Sequence, residues 1–202
     1  MSRSATQPPE ILLDAHAVAE RVERLGAAIA ADHPDGILLV GVLKGALVFL
    51  ADLVRQMRNV DVSVDFLAIS RYAPDSGRVR LLKDLDVDVT GRDVVLVEDL
   101  VDTGLTLAYL VDHVVERGAR TVDVCTLLDR ADRRIVPLPL RYVGEVLPGN
   151  TFVLGYGLHH RERYRNLPMI VRADPGALAA DPDVYLGLYG ARDAKGANEA
   201  RC

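Results

Sequence analysis

Apolar residues recur along this chain with two different periods, one helical and one strand-like, and their alternation outlines the fold. From Asp14, an expected N-cap, Val18, Val22, Leu25 and Ile29 repeat at helical spacing until Pro34-Asp35-Gly36 breaks the run. Ile37-Leu38-Leu39-Val40-Gly41-Val42 is continuously apolar, which predicts a strand buried on both faces. Leu47, Leu50, Leu53 and Met57 predict a second helix, and Val62, Val64, Phe66 and Ala68 alternate with polar residues as strand positions do. Residues 71–92 are polar, with Pro74-Asp75-Ser76-Gly77 near their start, and read as either a mobile loop or an exposed hairpin. Val94-Val95-Leu96-Val97 predicts another buried strand, followed by a helix from about Thr106 to Arg117 that Gly118 closes. Val122, Val124, Thr126 and Leu128 predict the next strand, and weaker strand signals lie at 141–147 and 151–156.

Strands that alternate with helices in this way build right-handed βαβ units, so the fold class is α/β with a parallel sheet flanked by helices. Ligands of such sheets sit beyond the carboxyl ends of the strands, where the loops at 41–46, 98–106 and 129–133 should converge. Residues 1–10 and 190–202 are small, polar and aperiodic and read as disordered termini around a single domain spanning 11–189.

Composition narrows the classes of function. The chain has 202 residues, half of them apolar, enough for one substantial core. A formal charge of −5 and a sequence pI near 5.5 argue against a nucleic-acid binder, which usually carries a basic face. No apolar run reaches the roughly 18 residues of a membrane span, and residues 1–10 lack an apolar signal-peptide core, so a cytoplasmic protein is expected. Cys125, inside an apolar run, and Cys202 make no disulfide or metal pattern. Of 24 basic residues only Lys44, Lys83 and Lys195 are lysines. Against so strong a skew to arginine, a single Arg where Lys is expected carries less weight.

Chemistry concentrates at Glu98-Asp99-Leu100-Val101-Asp102-Thr103-Gly104-Leu105-Thr106, read as an acidic strand-to-helix loop. A helix's first turn offers unpaired N–H groups and a positive dipole end, a natural seat for phosphate. Gly104 lets backbone approach closely, and Thr103 and Thr106 add hydroxyl donors. Glu98 and Asp99 suit the hydroxyls of a sugar, or Mg²⁺ held directly or through water. An ordinary helix cap accounts for Asp102 or Thr103 alone, but not for three carboxylates within five residues. The Gly-x-x-x-x-Gly-Lys-Ser/Thr loop of nucleotide hydrolases is absent.

The run Val94 to Leu107 resembles the diphosphate-sugar signature of the type I phosphoribosyltransferases. Gly41-Val42-Leu43-Lys44-Gly45-Ala46 is similar to the pyrophosphate loop of the hypoxanthine/guanine branch, in which the Leu-Lys bond is often cis. Leu81 to Asp86, Phe152 to Leu158 and Tyr164-Arg165-Asn166-Leu167 resemble further segments of that branch, and the likeness covers about residues 11–171. It implies the type I phosphoribosyltransferase fold with a small hood, drawn from about 11–25 and 145–189, and a lid loop at 70–83.

The resemblance also implies roles. The substrate would be 5-phosphoribosyl 1-diphosphate with Mg²⁺, and the second substrate a purine-like base. Glu98 and Asp99 would hold the ribose hydroxyls and Mg²⁺, residues 102–106 (Asp102, Thr103, Gly104, Leu105, Thr106) the 5′-phosphate, and Lys44, Gly45 and Arg165 the pyrophosphate. Asp102 would be the catalytic acid or base, Phe152 would stack on the base, and the Val153 backbone would read its edge. Arg71 and Tyr72 would belong to a lid that excludes water. The family commonly forms homodimers or homotetramers.

Three positions depart from the family pattern. Arg130 stands where it has Lys, His159 where it has Asp, and Arg71-Tyr72 replaces Ser-Tyr. Arg and Lys are not interchangeable at a recognition site, and imidazole is a poor Mg²⁺ ligand, so the base pocket is open to two readings. One takes hypoxanthine or guanine, with Arg130 donating to O6 and the backbone at His159 reading the base. The other takes a modified purine such as 7-cyano-7-deazaguanine, with Arg130 serving O6 and the substituent. A non-catalytic regulator of the same fold is the third alternative, and an orotate- or uracil-type transferase a more distant one.

Overall fold

The computed structural model describes residues 8–71 and 79–193, which divide into two compact units, residues 16–151 and residues 8–15 with 152–193. In the larger unit a six-stranded sheet runs β4-β3-β2-β5-β6-β7, comprising β2 (Ile37–Leu43), β3 (Val62–Arg71), β4 (Val79–Lys83), β5 (Asp93–Val101), β6 (Thr121–Asp129) and β7 (Leu140–Val146). All neighbours are parallel except β3 and β4, an antiparallel pair at the edge. The stretch read as loop or hairpin therefore has hairpin arms, and residues 72–78 lie outside the described residues.

The central strand β2 is buried from Ile37 to Val42 and receives helices on both faces. Leu38, Val40 and Val42 pack with Leu107, Leu110 and Val114 of α3 (Leu105–Glu116). On the other face a Cβ added to Gly41 would lie 2.7 Å from Leu50 of α2 (Leu47–Gln56). The helix α1 (Ala15–Asp32) buries Val18, Val22, Leu25 and Ile29, the residues its spacing predicts. Its Arg21 pairs with Glu145 and its Arg24 donates to the Gly144 carbonyl, which seats the helix beside β7. Each fully buried Leu or Val of this core contributes about 1.5–3 kcal/mol.

Two strand readings are corrected. On β3 the buried positions are Asp65 and Leu67, while Val64 is 41 % exposed, the reverse of the expected alternation. Asp65 tolerates burial because it accepts the amides of Phe66, Asp86 and Val87 and an ion pair from Lys83. Burial pushes its carboxyl upward, but these donors outweigh that and leave it below its ordinary value. The second correction is to β5, which continues to Val101: Glu98 pairs in register with Thr126 and Leu100 with Leu128. Glu98 and Asp99 thus lie on the strand, and the connection to α3 is only residues 102–104.

The smaller unit contains a sheet in the order β1-β9-β8, all antiparallel, from β1 (Glu10–Leu13), β9 (Ile170–Arg172) and β8 (Val153–Leu154). Its core gathers Leu154, Tyr164, Leu167, Val171, Leu178 and Tyr185, with α4 (Pro175–Ala180) capped by Asp174. Glu10 opens β1 opposite Arg172, and a 3-10 helix runs from Leu186 to Asp193. The segment 11–25 is shared: residues up to Ala15 belong to the smaller unit, and the rest of α1 to the larger.

Candidate active site

The carboxyl ends of β2, β5 and β6 bring three of the expected segments together. After β2, Lys44 is exposed and the Leu43–Lys44 peptide is cis. Gly45 lies directly against Asp99, and a Cβ added there would stand 1.9 Å from Asp99 Oδ2. Only glycine fits so close to that carboxylate. At the end of β5, Asp99 also accepts the amide of Leu100 at 2.8 Å.

The helix α3 opens at Gly104, whose φ of 88° is left-handed and suits glycine. No side chain caps this end by a hydrogen bond, which leaves first-turn amides for a ligand. A cleft lies there, lined by Glu98, Asp102, Thr103, Gly104, Thr106 and Ile69. Leu105 is half exposed at its edge. The cleft thus gathers Glu98, Asp102, Thr103, Gly104 and Thr106 of the 98–106 segment, while Asp99 lies against Gly45.

Beside it stands a cluster of charges from the far end of β6. Arg130 is 8 % exposed and donates from Nη2 to the Thr151 carbonyl. Its Nη1 is 3.6 Å from Asp102 Oδ2, while its buried Nε has no hydrogen-bond partner. Burial pushes its guanidinium below the ordinary value, and Asp102 pulls the other way. Asp102 Oδ1 lies 3.0 Å from Arg133 Nε yet accepts no hydrogen bond of good geometry. Arg134 pairs with Asp129, packs against Gly104, and is followed by Ile135, whose amide donates to the Thr103 carbonyl at 2.9 Å.

Arg133 and Arg134 were not singled out by sequence reasoning. The signal available was their place at the end of the 129–133 loop and directly after it, and it is drowned in so arginine-rich a chain.

The remaining expected residues lie in the smaller unit. Phe152 is half-buried, with the His160 ring edge-on at 6.4 Å. Val153 is buried on β8, in register with Arg172. His159 is exposed, and its Nδ1 accepts the Glu162 amide at 3.1 Å, closing the turn at 159–162. Arg165 pairs with Glu162 and donates to the Gly157 carbonyl. Of the expected lid, Arg71 ends β3 and Tyr72 lies outside the described residues. Among the described residues no cluster of three or more His, Cys, Asp or Glu is arranged for a metal, and no helix is long and apolar enough to cross a membrane.

Comparison with known proteins defines the class. Residues 9–160 match the family model of the phosphoribosyl transferase domain. The hypoxanthine-guanine phosphoribosyltransferase of Bacillus subtilis is 41 % identical over 165 residues, covering 80 % of this chain and 91 % of that protein. The protein of the same name from Mycobacterium avium is 43 % identical over 175 residues, 82 % of this chain and 85 % of its own. A crystal structure of a hypoxanthine-guanine phosphoribosyltransferase from Bacillus anthracis, with HEPES in its active site, superposes with a TM-score of 0.79 at 41 % identity. It covers 83 % of this chain and 100 % of that one. The chain belongs to the type I phosphoribosyltransferase family, in its hypoxanthine-guanine branch.

Proposed function

We propose that this protein is a cytoplasmic, homo-oligomeric purine phosphoribosyltransferase. It transfers the 5-phosphoribosyl group of 5-phosphoribosyl 1-diphosphate to N9 of hypoxanthine or guanine. The observation that carries the reading is an uncapped helix start at a cleft lined by Glu98 and Asp102, with Arg130 and Arg133 beside Asp102 and Asp99 against Gly45.

The chain's own groups divide the work. First-turn amides of α3 with Thr103 and Thr106 bind the 5′-phosphate, and Glu98 and Asp99 accept hydrogen bonds from the ribose hydroxyls. Lys44 and Gly45, with Arg165, take the pyrophosphate. As the bond from the anomeric carbon to pyrophosphate breaks, N9 of the base attacks that carbon and Asp102 takes up a base proton. The unpartnered Nε–H of Arg130 needs an acceptor, which the 6-oxo group supplies and an amino group at that position does not. Phe152 stacks on the base, the Val153 backbone reads its edge, and His159 stands beside it.

The donor set also fits Mg²⁺. Glu98 and Asp99 are hard oxygen donors, and two carboxylates suit an ion that keeps waters and takes its other ligands from substrate phosphates. When bound, Mg²⁺ neutralises charge developing on the departing pyrophosphate.

Product formation from 5-phosphoribosyl 1-diphosphate and Mg²⁺ tests this, read by mass spectrometry with hypoxanthine, guanine, xanthine, adenine and 7-cyano-7-deazaguanine supplied singly. Hypoxanthine or guanine should turn over best. Turnover chiefly of the deaza base would replace the 6-oxopurine reading, and nucleotide binding without turnover would make the protein a regulator.

A further inference from the structure

The 3-10 turn Ala131–Arg133 is tied down more firmly than a surface turn requires. Asp132 Oδ2 accepts the Gly149 amide at 2.9 Å, Arg133 Nη1 reaches the Gly149 carbonyl at 3.4 Å, and Arg130 donates to the Thr151 carbonyl. Both ends of the turn are thereby pinned to the 149–151 segment. The result is that two guanidinium groups approach different oxygens of one carboxylate: Arg133 Nε stands at Oδ1 and Arg130 Nη1 at Oδ2.

We propose that Arg133 is a positioning residue for the phosphoribosyl transfer: pinned through the 130–133 turn, it fixes the rotation of the Asp102 carboxylate so that Oδ1 faces the base. The inference rests on the functional reading above.

Stability does not account for the pair. Arg133 is 50 % exposed and Asp102 33 %, and ion pairs so exposed contribute little to folding. Geometry is the better account. Oδ1 is buried and receives no hydrogen bond, so its lone pairs remain for a donor on the ligand. A carboxylate that must meet a ring nitrogen gains from losing its free rotation before the base arrives. Arg133 is placed beside that oxygen without consuming it.

A double-mutant cycle tests whether Arg133 acts through Asp102. The enzyme and its Arg133→Gln, Asp102→Ala and doubly substituted variants would be compared for kcat and for the KM of each substrate. Arg133→Gln should lower kcat/KM for the base about tenfold. The KM for 5-phosphoribosyl 1-diphosphate should stay within about twofold, and Arg133→Lys should recover part of the loss. On the Asp102→Ala background the Arg133→Gln loss should shrink below about twofold. Losses that multiply, or a KM rise for the sugar diphosphate equal to that for the base, overturn the proposal while leaving the reaction in place. An unsubstituted enzyme that turns over no base overturns the functional reading and this proposal together.

Discussion

At the amino edge of the six-stranded sheet, Asp93 accepts Arg120 Nε at 2.8 Å, its Nη2 at 2.5 Å and the Thr121 hydroxyl at 2.7 Å. Arg92 there donates to Ser63 at 2.8 Å. At the carboxyl edge the same residue types meet less completely. Arg130 Nε, Arg134 Nη1 and Asp102 Oδ1 are all buried without hydrogen-bond partners. Each such group left unsatisfied costs about 1–3 kcal/mol, and on the proposed function the substrate supplies the missing partners. On that proposed function, arginine and aspartate hold the fold together at one edge and meet substrate at the other.

The largest expected effect comes from removing the central group of the open edge. Asp102→Ala should reduce kcat by about 10²–10⁴-fold, the usual range for a positioned acid or base, with the melting temperature nearly unchanged. A loss of less than about tenfold in steady-state assays would take Asp102 out of the chemistry.

Arg130→Met sharpens the comparison because function should move further than stability. It removes a desolvated guanidinium but leaves the buried Thr151 carbonyl without that donor, so the two effects offset and the melting temperature should shift by only a few degrees. Catalytic efficiency for the 6-oxopurine should fall by roughly 30- to 100-fold, carried by the KM for the base. If the melting temperature falls sharply while kinetics are unaffected, Arg130 belongs with the closed edge.

Much of this contrast was legible locally, and the rest was not. The segment 98–106 could be read because its chemistry is contiguous in sequence: three carboxylates, two hydroxyls and a glycine follow one apolar run. Where β5 ends could not, because Glu98 stays in the ladder opposite Thr126, a partner set by tertiary pairing rather than by its own polarity. The burial of Asp65 was hidden likewise, since three of its donors come from residues 83–87. The strands β1 and β9 are four and three residues long, too short to show a period, and pair across most of the chain. Arg133 reaches Asp102 from 31 positions along the chain, a pairing that residue type alone does not announce.

The smallest expected effect lies at the closed edge, and its pH dependence identifies it. The hydrogen bonds from Arg120 hold the Asp93 carboxyl well below its ordinary value, helped against burial by Thr121. A carboxylate with a depressed folded-state pKa adds stability that is fully present above its unfolded value of about 3.9 and is lost as pH falls through the folded value. Asp93→Asn should therefore lower the melting temperature at pH 7 by only about 2 °C, because the pair is solvent-screened, and leave kcat unchanged. The gap between the two proteins should narrow steadily below about pH 4, where the unfolded chain takes up a proton at this position while native Asp93 stays ionised. A gap that stays constant from neutral to acid pH would mean that the asparagine costs packing rather than charge. A fall in kcat would mean that the amino edge is coupled to the site, and the division of labour between the two edges would have to be given up.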